Sequence, residues 1–136
     1  MFFKTNKKDN DTEGMIKVAA LLIHAAKIDE NYSSKEEEII KKSLIDLGAD
    51  EKNLDSLLIN AKKKEENSNQ ILDFTKEVKS MEKKEKIKII KSLWKIIYSN
   101  KDADIYETNL MRRLSGLLYV DSKTMGDIKE EIRNKN

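Results

Sequence analysis

LWKIIYSNKDADIYETNLMRR, residues 93–113, decides how this chain folds, because LIHAAKIDENYSSKEEEIIKK, residues 22–42, repeats its pattern 71 positions earlier. In register, Leu22 pairs with Leu93, Ala26 with Ile97 and Asp29 with Asn100. Further on, Ser33 pairs with Asp104, Glu36 with Glu107, Ile39 with Leu110 and Leu47 with Leu118. Each copy reads as an apolar helix, a short acidic turn and a second helix that opens on a capping box, S/D-x-x-E. The expected fold is therefore all-α, a single domain of about seven helices with an internal helix–acidic turn–helix repeat.

The composition agrees. Zero prolines and four glycines among 136 residues, with abundant Lys, Glu, Leu and Ile, favour helices over a sandwich. That length suits one domain with a core of its own. The absence of cysteine excludes disulfides, thiol catalysis and thiolate metal sites, and fits the cytoplasm. Twenty-seven basic residues face 25 acidic ones, too even a balance for a nucleic-acid binder. The basic residues are 24 Lys and only 3 Arg, which again argues against recognition of phosphate or base edges by planar forks. The longest apolar run, Val18 to Ile23, is far too short to span a bilayer. Phe2 and Phe3 beside Lys4, Lys7 and Lys8 leave peripheral membrane contact open, next to the plainer reading of a frayed or core-docked terminus.

Residues 1–11 are polar and are expected to form a flexible segment ahead of a helical domain at 12–133. Thr12 is expected to cap a first helix that reaches about Asp29 and is apolar nearly all round, which puts it at the centre. Ser33 or Ser34 caps the second helix, with Ile39, Ile40, Leu44, Ile45 and Leu47 as its apolar side and Gly48 at its end. A third helix over about 51–65 and a fourth over about 69–80 follow. The fifth, over about 82–99, is the second central helix, with Ile87, Ile90, Leu93, Trp94, Ile97 and Tyr98 inward and Ile89 and Ile96 widening that face. Asp104 caps the sixth and Ser122 the last.

Two readings of the acidic turns compete. Asn100, Asp102, Asp104 and Glu107 offer oxygen ligands to a hard cation, Ca²⁺ first. Ile105 stands where an EF-hand has its glycine, and the last carboxylate comes four positions early, so this is no EF-hand. The first turn offers Asp29, Glu30, Asn31, Ser33 and Glu36. Alternatively, Ser33-x-x-Glu36 and Asp104-x-x-Glu107 do nothing more than cap their helices.

The repeat resembles the TerB-like (tellurite resistance) domain, whose second copy often reads W-x-x-A-x-A-D-G-x-x-D-x-x-E-x-x-x-x-R-R. Here that motif stands as Trp94, Ile97, Ser99, Asn100, Lys101, Asp104, Glu107, Arg112 and Arg113, and the first copy as Ala26, Ile28, Asp29, Glu30, Ser33 and Glu36. The resemblance covers roughly residues 12–133. It implies an all-helical fold whose clustered acidic residues bind a divalent cation, which would make Asp29, Glu36, Asn100, Asp102, Asp104 and Glu107 the metal-site residues. It also implies a non-enzymatic role in metal or oxidant stress, exercised through protein partners. The chain departs from the pattern at Glu30 and Lys101, where glycines belong, and at Ser33 and Asn100, where aspartates belong. Those losses keep a second reading open: a metal-free interaction module or homodimer, similar to the region that accompanies the J-domain in some co-chaperones, although no H-P-D motif is present.

No other constellation carries chemistry. His24 is the one histidine and lies in the apolar run of the first helix, where a hydrogen-bonded structural role is expected. No glycine-rich phosphate loop occurs, and an enzyme is not expected. Trp94 and Tyr98, four apart, read as core, and Lys62 to Glu66 as a solvated helix end. The Lys84, Lys88, Lys91, Lys95 stripe, offset by Glu82 and Glu85, reads first as a solvated helix face, with an anionic partner or an acidic membrane leaflet as the lesser reading.

Overall fold

A run of eight small and aliphatic residues broken only by His24 lets the first helix hide every side, and this is where it lies. The computed structural model describes residues 8–27, 34–67, 71–99 and 105–135, the side chains of 8–12, 105–107 and 135 excepted. Among the described residues there are seven α-helices, one 3₁₀ turn and no strand. They are α1 (Lys8–Ala26), α2 (Ser34–Asp46), the 3₁₀ turn Glu51–Asn53, α3 (Leu54–Glu66), α4 (Leu72–Lys79), α5 (Lys83–Tyr98), α6 (Ile105–Leu117) and α7 (Ser122–Lys135). α1 packs against α2, α3, α4 and α5, while α5 packs against α1, α2 and α7. The core is continuous: Leu21, Leu22 and Ile23 of α1, Phe74 of α4 and Ile90, Leu93 and Ile97 of α5 are all fully buried in it. Each such side chain contributes about 1.5–3 kcal/mol relative to exposure.

The repeat is visible in the backbone. α2 and α6 are both 13 residues long and start 71 residues apart. Both end in the same turn. After α2, Gly48 N–H donates to the Ile45 carbonyl at 3.0 Å and Ala49 N–H to Leu44 at 2.9 Å. After α6, Tyr119 N–H donates to Gly116 at 3.3 Å and Val120 N–H to Ser115 at 3.0 Å. These are paired Schellman motifs, and both need a left-handed residue: Gly48 at φ 109° and Tyr119 at φ 56°. Glycine adopts that conformation freely, whereas tyrosine does so at a cost of about 1–2 kcal/mol. The Lys79 ammonium lies 4.3 Å above the exposed Tyr119 ring and Lys86 Nζ donates to the Leu118 carbonyl at 3.0 Å, which fastens the strained turn. The next element in each copy also opens alike. Asp50 accepts from the Lys52 amide at 3.0 Å, and Asp121, its copy, accepts from the Thr124 amide at 3.2 Å and the Thr124 hydroxyl at 2.6 Å. Those two bonds hold the Asp121 carboxyl below its ordinary range, the hydroxyl contributing most.

Several expectations shift. α1 begins at Lys8, so Thr12 lies inside the helix and residues 8–11 are helical. Asp121, not Ser122, caps α7, because a carboxylate can receive both Thr124 donors at once. The third helix opens as a 3₁₀ turn at Glu51–Asn53 before α3 begins at Leu54. Ile45 points outward, at 41% exposure. On α5, Ile89 and Ile96 are fully buried while Ile87 sits at the margin, because α5 is flanked by α1, α2 and α7 and buries more than one stripe.

Candidate functional site

Of the six residues expected at a cation site, Asp29, Asn100, Asp102 and Asp104 lie outside the described residues, as do the capping candidate Ser33 and Phe2, Phe3, Lys4 and Lys7. Glu107 is the third residue of α6, its side chain likewise undescribed. Glu36 is the third residue of α2 and is 1% exposed. A carboxylate in the first turn of a helix is favoured by the dipole and by unpaired amides, which suits so deep a position. Glu36 is not a free acid there; it has a partner.

The helix ends that flank the two turns meet. Lys35, next to Glu36 at the start of α2, donates from Nζ to the carbonyl of Ser99, at the end of α5, at 3.0 Å. The ammonium thereby meets the negative end of the α5 dipole. The exit of the first acidic turn and the entrance of the second therefore share one end of the molecule. Ser99 folds its hydroxyl back on the Ile96 carbonyl at 2.6 Å, which closes the last turn of α5.

The entrance of the first turn is held separately. Glu65, near the end of α3, accepts from Lys27 Nζ at 2.8 Å through Oε1 and lies 3.2 Å from His24 Nδ1 through Oε2. Its side chain is 11% exposed, so Lys62 to Glu66 is no simple solvated helix end. The hydrogen bond with Glu65 raises the Lys27 pKa above its ordinary 10.5, against the opposing effect of partial burial. Lys62 and Lys64 are engaged too, with Glu37 and Glu13, both at 2.9 Å. His24 thus has the hydrogen-bonded structural role its position in α1 suggests.

Trp94 and Tyr98 belong to the core. Their rings stack with centroids 5.7 Å apart and planes 22° from parallel, and both are buried. Trp94 Nε1 is buried without a hydrogen-bond partner among the described residues, while Lys129 Nζ lies 5.5 Å from the ring centroid. The described residues contain no group of three acidic or histidine side chains arranged to hold a metal. No described helix is long and apolar enough to cross a membrane.

Sequence reasoning missed Lys35 and Glu65, the residues that fix the ends of these turns. Their partners are 64 and 38 residues away, beyond any local spacing rule.

Comparison with curated proteins and with solved structures gives no match. The model of the family described as tellurite resistance protein TerB matches residues 15–130, from the buried Met15 of α1 into α7. That match takes in both copies of the repeat and the α4 link between them, and the chain belongs to the TerB family.

Proposed function

We propose that this TerB domain is a non-enzymatic module that binds a divalent cation, Ca²⁺ foremost, at its two acidic turns. In this reading it works in the cytoplasm through protein partners, in the response to metal or oxidant stress. The observation that carries it is the Lys35–Ser99 bond, which joins the end of one turn to the start of the other. In this reading the ligands are Asp29, Glu36, Asn100, Asp102, Asp104 and Glu107, and the described ends of the two turns, at Lys35 and Ser99, are joined. Carboxylates lost to Ser33 and Asn100 and the charge of Lys101 weaken such a site, toward a dissociation constant of about 10⁻⁴ to 10⁻³ M. Backbone amide spectra titrated with Ca²⁺ test the assignment. Changes at residues flanking both turns, removed by Asp104→Ala with Glu107→Ala, are expected; changes untouched by those substitutions sink it.

A second reading rests on the replacement of both turn glycines by Glu30 and Lys101. Here the turns are helix caps and the domain is a metal-free interaction module or homodimer. It expects no response to any cation, together with a dimer in light scattering or specific protein partners. A strict monomer that responds to Ca²⁺ excludes it.

A further inference from the structure

Away from the turns, the seam between α2 and α5 carries a feature the cation reading does not use. Lys42, Ser43 and Asp46 of α2 and Lys88, Lys91, Ser92 and Lys95 of α5 line a recess of about 300 Å³, with Ile39 as an apolar wall. The two helices contribute with the same i, i+3, i+4, i+7 spacing, so one stripe of each faces the other. The repeat shows why there is a hollow. Ser43 and Ser92 correspond, 71 residues away, to Leu114 and Leu21, both fully buried. Where the other copies fill space with leucine, this seam has two buried serines, each folding its hydroxyl onto its own helix, at Ile39 (2.8 Å) and Lys88 (2.9 Å).

Charge is concentrated here in a chain whose totals nearly cancel. Four ammonium groups and one carboxylate line the recess, against 27 basic and 25 acidic residues overall. Lys91 reaches Glu131 at 3.4 Å and Lys88 reaches Glu85 only at 3.9 Å. Lys42 and Lys95 make no ion pair among the described residues. Like charges brought together from two helices repel, and an anion between them removes that repulsion. The volume lies at the small end of ligand sites. Without arginine, recognition is by point charges rather than a planar fork, which suits a compact anion of multiple charge.

We propose that the α2–α5 recess binds a phosphate-bearing anion, of the size and charge of a diphosphate group, with Lys42 and Lys95 as its principal contacts. The phosphate groups belong to a soluble molecule or to a lipid headgroup. The test titrates the intact chain with inorganic pyrophosphate in EDTA, which separates it from any cation site, and follows backbone amides. A parallel arm uses phosphatidylglycerol-containing vesicles with pure phosphatidylcholine vesicles as reference. Saturable shifts at Ser43 and Ser92 are expected, and Lys42→Gln with Lys95→Gln weakens binding about tenfold, whereas the same charge change at Lys63→Gln with Lys76→Gln changes it less than about twofold. All four lysines are exposed, so unfolding temperatures stay unchanged and a fold defect is separable. Vesicle binding that also depends on Lys42 and Lys95 assigns the phosphate to a headgroup. Equal weakening by both double variants, shifts elsewhere on the surface, or no binding in either arm overturns the proposal.

Discussion

The two copies of the repeat share equal helices α2 and α6 and the turns that end them, and differ in what holds the end of the central helix. In the first copy, α1 ends in a polar clasp, with Glu65 gripping Lys27 and His24. In the second, the position of Lys27 is taken by Tyr98 and that of Ile23 by Trp94, and the clasp is an aromatic stack. Ion pair and stack do the same mechanical job, fixing the point where an acidic turn begins. What persists between the copies is the terminal chemistry: equal helices α2 and α6, paired Schellman turns, and Asp50 and Asp121 as caps. The plan is therefore set by apolar spacing and helix ends, with side-chain contacts free to diverge.

The largest effect should come from the central helices. Leu22→Ala and Leu93→Ala each remove a fully buried leucine and should cost about 2–5 kcal/mol in urea unfolding. Leu22 should cost more, since α1 is packed by four helices and has less room to relax. A reversed order would mean that α5, not α1, is the true centre. Next comes the clasp. Glu65→Gln should destabilise the fold by about 1–2 kcal/mol, because a nearly buried carboxylate with two partners is lost. The sign for Lys27 follows from its raised pKa: its contribution is present below pH 10.5 and fades as pH rises through the higher folded value. Stability curves of wild type and Lys27→Met should therefore stay apart through neutral pH and converge at strongly alkaline pH, and convergence at neutral pH would remove the clasp from the account.

The turns sharpen the comparison further. Gly48→Ala forces a side chain into the left-handed region and should cost about 1 kcal/mol. Tyr119→Gly should move stability by less than about 0.5 kcal/mol, because relief of backbone strain is offset by a freer unfolded chain and the lost Lys79 contact. If both substitutions cost the same, the two turns are not equivalent. The smallest effect belongs to the caps. Asp121→Ala should lower the unfolding temperature more than Asp50→Ala, in keeping with two hydrogen bonds against one. The Asp121 pKa is lowered, so its contribution is present above pH 3.8 and lost as pH falls through the folded value; the difference from Asp121→Ala should vanish in acid.

Much of the fold is legible because it is written in local terms. The all-round apolar run of α1, Gly48 after α2, and the 71-residue register all report on contacts within a few turns of helix. Local reading falters where two local solutions are equally good. Thr12 and Ser122 are sound caps in isolation, yet α1 already begins at Lys8 and the two Thr124 donors select Asp121 over Ser122. Ile45 and Ile89 fit the helical period equally well, yet one faces outward and the other is enclosed, which depends on which helices arrive beside them. The candidate sites are less legible still. The Lys35–Ser99 and Lys27–Glu65 bonds, and the recess that Ser43 and Ser92 both line, bring together residues far apart in sequence, and nothing in the spacing of either partner announces the other.

The central claim is that the two turns form one cation surface, and thermal unfolding tests it most directly. The protein is melted in EDTA and in about 10 mM Ca²⁺, alongside Asp29→Ala and Asp104→Ala, one substitution in each turn. A site with a dissociation constant of about 10⁻⁴ to 10⁻³ M should add about 1.4–2.7 kcal/mol under those conditions, a shift of several degrees. The account predicts that shift in the parent chain and its loss in both variants. The same melting temperature with and without Ca²⁺, or a shift that survives both substitutions, would contradict it.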